Sequence, residues 1–220
     1  MKRVNAALAC PNIIQLVKWF DRPTQYIMIL ERQDPCQDLS TFCAENGHLD
    51  ESLAKKVLLQ LLSALKHCKS RGVLHRDIKP DNLLFCTATH DTKLLSQNLP
   101  KDSAYTAFTG TFTPPEWYHY GQYHAEPATV WSVGVTLYNI LCGSYPFRTR
   151  KVTFKTRLRF TRDLQNSCLN QVKMCLTETS MFYLTECCQL IIWCLSAEAE
   201  DHPSLQDIEQ HPWLQSAGGQ

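Results

Sequence analysis

The junction at residues 73–84, VLHRDIKPDNLL, constrains this chain more than any other stretch, because His75, Arg76, Asp77, Lys79, Asp81 and Asn82 crowd between two apolar runs. Upstream, Leu53, Val57, Leu61, Leu65 and Cys68 recur on one face of a 3.6-residue period, with Asp50 placed to cap a long helix and Gly72 to stop it. Downstream, residues 82–85 and 92–95 read as two short strands around the turn-like TATHD. Polar side chains in this order, between a helix and a strand, point to a built site rather than a merely solvated loop.

Before the helix, IIQLVKWF (13–20) and QYIMILE (25–31) are β-prone runs separated by Asp21 to Thr24, which predicts a hairpin. QDLSTFCAENG then predicts a short helix closed by Asn46 and Gly47. Residues 96–115 read as irregular and polar. Helices resume with ATVWSVGVTLYNILCG, apolar on nearly all sides and therefore a core helix over 128–142. TECCQLIIWCLS predicts another, and Ser204 with Asp207 forms a capping box for a last one, SLQDIEQHPWL. Segment 161–183 has no clean period and reads as a loop or insertion.

With 220 residues, 44% of them hydrophobic, the chain can bury the core of one domain or at most two. Lys and Arg number 22 against 21 Asp and Glu, so charge gives no reason to expect nucleic acid or an anionic membrane as partner. Eleven cysteines without a C-x-x-C pair read as small buried hydrophobes in a reducing compartment. Pro11 and Asn12 interrupt any secretory core, and the run from Val130 to Cys142 is too short to span a bilayer. The expected location is cytoplasmic, or nuclear.

Transfer of a phosphoryl group to a hydroxyl needs a carboxylate to orient and deprotonate the nucleophile, a cation on the migrating group, and ligands for magnesium. In HRDIKPDN, Asp77 suits the base, Lys79 the cation, and Asn82 a neutral oxygen for a metal. That loop, together with PNIIQL, ILER, PCQDL, KHCKSRG, KDSAY, PPEW, YHAEPATVWSVGVTLYNILCG, IIWCLS and HPWL, resembles the carboxyl-terminal lobe of a serine/threonine protein kinase of the Pim family.

The resemblance implies an α+β, protein kinase-like fold. A mainly α carboxyl-terminal lobe would occupy 32–215, after a two-strand remnant of the amino-terminal lobe in 1–31 and before a tail at 216–220. It implies ATP and Mg2+ as cofactors and a protein substrate carrying basic residues; it leaves the oligomeric state open. Leu30 would be the gatekeeper, Glu31 to Asp34 the hinge beside the adenine, Leu84 the floor under the base, and Asp38 a neighbour of the ribose. Gln33 replaces the family's hinge proline and so adds a backbone donor. Asp38 and Asp81 would meet substrate arginines. Arg76 would take an anion from the activation segment that includes Thr109, and Glu116 would pair with an arginine.

Three departures bear on activity. No G-x-G-x-x-G is formed, and the strand lysine with its helix glutamate is missing, so the chain is expected to begin after the nucleotide lid. Ser96, Gln97 and Asn98 stand where kinases place Asp-Phe-Gly, so a hydroxyl replaces the metal-holding carboxylate. His202 stands where the arginine partner of Glu116 belongs. Losing one preorganised charge costs about a hundred- to a thousandfold in rate, so impaired turnover is expected, with a pseudokinase-like binding or scaffold lobe as the alternative. Residues 165–184 would be an insertion relative to the family. The two leading strands would present an unpaired, aggregation-prone edge.

Overall fold

The computed structural model describes residues 9–95, 110–147, 158, 160 and 185–215. The expected hairpin is present: β1 (Leu16–Arg22) pairs antiparallel with β2 (Gln25–Leu30), with Arg22 opposite Gln25. The turn is therefore only Pro23-Thr24, where proline presets the backbone angle that a tight turn needs. Both faces of this ribbon are largely open, with Val17, Tyr26 and Met28 exposed by 67%, 72% and 54%. Among the described residues no third strand joins it.

A three-stranded antiparallel sheet follows, in the order β3 (Cys36–Asp38), β4 (Leu83–Cys86), β5 (Thr92–Leu94). β3 corrects the sequence reading, which placed Gln37 and Asp38 in a helix. That helix, α1 (Leu39–Asn46), starts two residues later because the Asp38 carboxylate accepts the Thr41 N–H at 2.8 Å and so caps it from outside. α2 (Glu51–Ser70) begins as expected, with Asp50 Oδ1 accepting the Leu53 N–H at 2.7 Å. Its buried stripe of Val57, Leu61, Leu65 and Cys68 follows the helical period, widened by Ala54, Leu58 and Leu62.

The remaining helices are α3 (Pro115–Tyr120), α4 (Ala125–Cys142), α5 (Glu186–Cys194), α6 (Leu205–Gln210) and α7 (Pro212–Gln215). α3 was not anticipated, since the stretch to 115 read as irregular and no helix was expected before 128. α4 also starts three residues early, with Pro127 in its first turn, where a missing N–H leaves no helical bond unmade. The last helix splits. His211 is extended at φ −61 and ψ 137, because Pro212 disfavours the helical region for the residue before it.

α4 runs through the core, burying Trp131, Val133, Leu137 and Ile140 between α2 and α5. At Gly134 the approach of α5 is so close that a Cβ would lie 2.8 Å from the Cys194 Cβ. Nine free cysteines are described, and all but Cys36 are buried, as expected of small hydrophobes. Burial pushes the Cys43 and Cys68 thiols up to about 11. Among the described residues no helix is long and apolar enough to cross a membrane. Residues 1–8 of the amino-terminal remnant, the insertion at 165–184 and the tail at 216–220 lie outside the described residues. The boundary read at 31/32 falls in the link between the two sheets.

Candidate active site

The polar loop leaves α2 at Gly72 and rejoins regular structure at Leu83, after one 3-10 turn over Pro80–Asn82. Asn82 is its keystone, only 4% exposed. Its Nδ2 donates to the Asp77 carbonyl at 2.7 Å and to Asp77 Oδ2 at 2.8 Å. Its N–H donates to the Lys79 carbonyl at 3.0 Å, and its own carbonyl accepts the Leu95 N–H at 2.8 Å. Lys79 Nζ lies 3.1 Å from Asp77 Oδ2. Asp77 Oδ1 takes part in none of these contacts.

His75 completes the web. Its Nε2 lies 2.9 Å from the Leu95 carbonyl, and its Nδ1 receives the Asp77 N–H at 3.4 Å. One donor and one acceptor describe a neutral imidazole, and burial accordingly holds its pKa below the ordinary histidine value. Arg76, between them, sits at φ 66, a left-handed conformation that stores strain in a side-chain-bearing residue. The sequence-predicted Asp77, Lys79 and Asn82 are thus brought into one cluster.

The expected base floor has a second row. In the antiparallel register Asp38 lies opposite Leu84, and Leu84 opposite Lys93, so all three side chains point to one face. That face is half-buried, whereas Leu83, Phe85, Thr92 and Leu94 on the other are buried. Lys93 was missed in the sequence. Its alternation with Thr92 and Leu94 could have placed it on the open face, but its partner is 62 residues away: Lys93 Nζ lies 2.7 Å from Glu31 Oε1. Leu30 is half-buried at the end of β2.

Asp38 departs from its expected surroundings. Besides capping α1, its Oδ2 accepts the Thr41 hydroxyl at 2.7 Å, so both carboxylate oxygens are engaged within the chain. At Gln33 the N–H makes no hydrogen bond among the described residues, while the carbonyl accepts the Cys36 thiol at 2.7 Å. Asp81 is exposed and makes no ion pair among the described residues. Tyr145, another residue missed, lies within electrostatic reach of Asp81 and packs edge-on against Phe112 at 5.8 Å. Burial, then the Asp81 charge, raises its hydroxyl above the ordinary tyrosine range.

The expected support at Glu116 is not assembled. Its side chain is buried, neither carboxylate oxygen has a hydrogen-bond partner among the described residues, and burial holds its carboxyl above the ordinary range. His202 turns to backbone carbonyls instead, with Nδ1 3.2 Å from Pro127 O and Nε2 2.9 Å from Ser196 O. Ser96, Gln97, Asn98 and Thr109 lie outside the described residues.

For a nucleotide base the described residues offer the half-buried Leu84 and a Gln33 N–H without a hydrogen bond among them. For magnesium the described residues offer the Asn82 carboxamide oxygen and the Asp77 carboxylate, and no group of three or more His, Cys, Asp or Glu gathers among them. One carboxylate is the lower end of what magnesium takes from protein beside phosphate oxygens.

Comparison with known proteins agrees with this geometry. The protein kinase domain family model matches residues 2–214. The serine/threonine-protein kinase pim-2 of Danio rerio is 41% identical over 92% of this chain and 61% of its own length. The serine/threonine-protein kinase prk-2 of Caenorhabditis elegans is 31% identical over 92% of the chain and 44% of its own length. A human SNF-related serine/threonine-protein kinase is 29% identical over 93% of the chain and 26% of its own length. The chain therefore spans about three fifths or less of the length of these relatives.

Proposed function

The chain belongs to the protein kinase domain family, and on that premise we propose that it is a serine/threonine-type phosphotransfer lobe of reduced turnover, acting on basic protein substrates. The observation that carries this reading is the web binding Asp77, Lys79 and Asn82 together. Asp77 Oδ1, outside the web, would receive the proton of the acceptor serine or threonine hydroxyl as its oxygen bonds to the γ-phosphorus and the bond from that phosphorus to the β-phosphate oxygen breaks, with ADP as the leaving group. Asn82 fixes the rotamer of Asp77 and presents its carboxamide oxygen as a metal donor. Lys79 stays beside the carboxylate and offsets the charge of the migrating group.

ATP with magnesium, when bound, supplies the γ-phosphoryl group and the charge neutralisation around it. Leu84 supports the base from below, and Leu30, Glu31 and Gln33 edge it. The exposed Asp81 suits a basic residue of the substrate. The cytoplasm or nucleus, where free cysteines stay reduced, is the proposed location.

Ser96 favours a second reading, a pseudokinase-like lobe that binds without transferring phosphate, because a hydroxyl does not replace a carboxylate at magnesium. Labelled ATP, magnesium and an arginine-rich serine peptide separate the two. The first reading expects slow transfer that Asp77→Asn abolishes and Ser96→Asp raises about a hundred- to a thousandfold. Silence from both the unsubstituted chain and Ser96→Asp, with nucleotide still bound, establishes the second.

A further inference from the structure

Phosphotransfer as read above gives Lys93 no role, yet its charge is not offered to solvent. The Lys93 side chain is 14% exposed, the Glu31 side chain 26%, and their charged atoms lie 2.7 Å apart. Glu31 follows directly on β2 and is held twice more: Oε1 accepts the Gln15 N–H at 2.9 Å, and the Glu31 N–H donates to the Gln15 carbonyl at 2.9 Å. Gln15 is itself tied down, Nε2 donating to the Cys10 carbonyl at 3.2 Å and the Ile13 carbonyl at 3.0 Å.

Residues 12–15 form a strap along the free edge of β5. The Ile14 N–H donates to Leu94 O at 3.1 Å, the Leu94 N–H to Asn12 O at 2.8 Å, and Asn12 Nδ2 to Thr92 O at 3.2 Å. The hairpin, by contrast, stands in a sheet of its own with both faces open. Among the described residues, the strap and the Lys93–Glu31 pair are the polar ties between β5 and the hairpin.

We propose that Lys93 is a positioning residue: by clamping the Glu31 carboxylate it fixes the end of β2, and the hinge after it, over the Leu84 floor. The role rests on the nucleotide reading of this site and deepens it. A base held between Leu84 and the hinge binds best when their separation is set beforehand, since ordering them on binding subtracts from affinity. The pair suits the task. Being largely withdrawn from water it is weakly screened by salt, and removing one charge strands the other.

Hydrogen exchange at the amides of residues 25–33 and titration with N-methylanthraniloyl-ATP, without magnesium, test the proposal on the whole chain. Lys93→Met and Glu31→Gln are expected to speed exchange there about tenfold, leave α2 and α4 protected, and weaken the nucleotide about three- to tenfold. Lys93→Arg keeps the charge and is expected to restore both to within about twofold. Unchanged exchange in both charge-removing variants overturns the proposal. So does exchange rising equally in α2 and α4, which makes the pair a general stabiliser. If the unsubstituted chain binds no nucleotide, the nucleotide reading fails by itself, and exchange at 25–33 still decides whether Lys93 holds the hinge.

Discussion

Asp77 and Glu116 are both carboxylates drawn inward, yet the fold treats them in opposite ways. Asp77, its side chain 17% exposed, meets Lys79 and Asn82 within 3.1 Å and keeps one oxygen clear of them. Glu116 is buried, and neither of its oxygens has a hydrogen-bond partner among the described residues. A buried carboxylate without a partner is costly, whereas one that is paired and hydrogen-bonded is held in a single geometry. The difference separates two supports: the loop around Asp77 is tied together, and Glu116 is left without a partner among the described residues.

The largest effect is expected from breaking the satisfied member. Asn82→Ala removes both side-chain bonds to Asp77 and should cost about 3 kcal/mol, lowering the melting midpoint by roughly 6 to 12 °C. A change below about 1 °C, read by differential scanning calorimetry, would mean that the web is not what stabilises the loop.

A smaller gain should follow from repairing the other member. His202→Arg offers Glu116 a guanidinium while still donating to the carbonyls that His202 faces, and should stabilise by about 2 kcal/mol in urea unfolding. A loss of stability would show that the imidazole contacts to Pro127 and Ser196 matter more than the orphaned carboxylate.

The smallest effect concerns pH. Burial raises the folded carboxyl of Glu116 above its unfolded value, against the opposing pull of His202 and His124. The folded state therefore holds the proton more tightly. The contribution is fully present below the ordinary carboxylate range and is lost as pH rises through the raised folded value. Glu116→Gln should flatten that decline and add about 1 kcal/mol at neutral pH. Parallel stability-versus-pH curves for the two proteins would remove Glu116 from the account.

Much of this was legible in the sequence, for reasons local to each element. Asp50 and Gly72 bracket α2 because capping and a left-handed stop need only neighbouring residues, and the Ser204–Asp207 box works within one turn. The loop 73–82 was legible because the chemistry it resembles fixes residue types at fixed spacing. β3 was not, being three residues long and made into a strand by pairing with β4. α3 was hidden because PEWYHY opens on the second of two adjacent prolines and carries no clean apolar stripe. Lys93 was hidden because its meaning comes from Glu31, and only the strap along β5 brings them together. Asp38 shows the converse: it matched a ligand-facing position, and the fold uses it as a helix cap.

The central claim is that nucleotide binding and the catalytic loop persist while the metal-holding carboxylate is replaced. Thermal melts of the purified chain with saturating ATP, with and without magnesium, test it most directly. Ligand at about a hundred times its dissociation constant adds roughly 2.7 kcal/mol, so the account predicts a midpoint rise of about 5 to 10 °C that magnesium changes little. A midpoint unmoved by ATP, or one that rises only when magnesium is present, would contradict it.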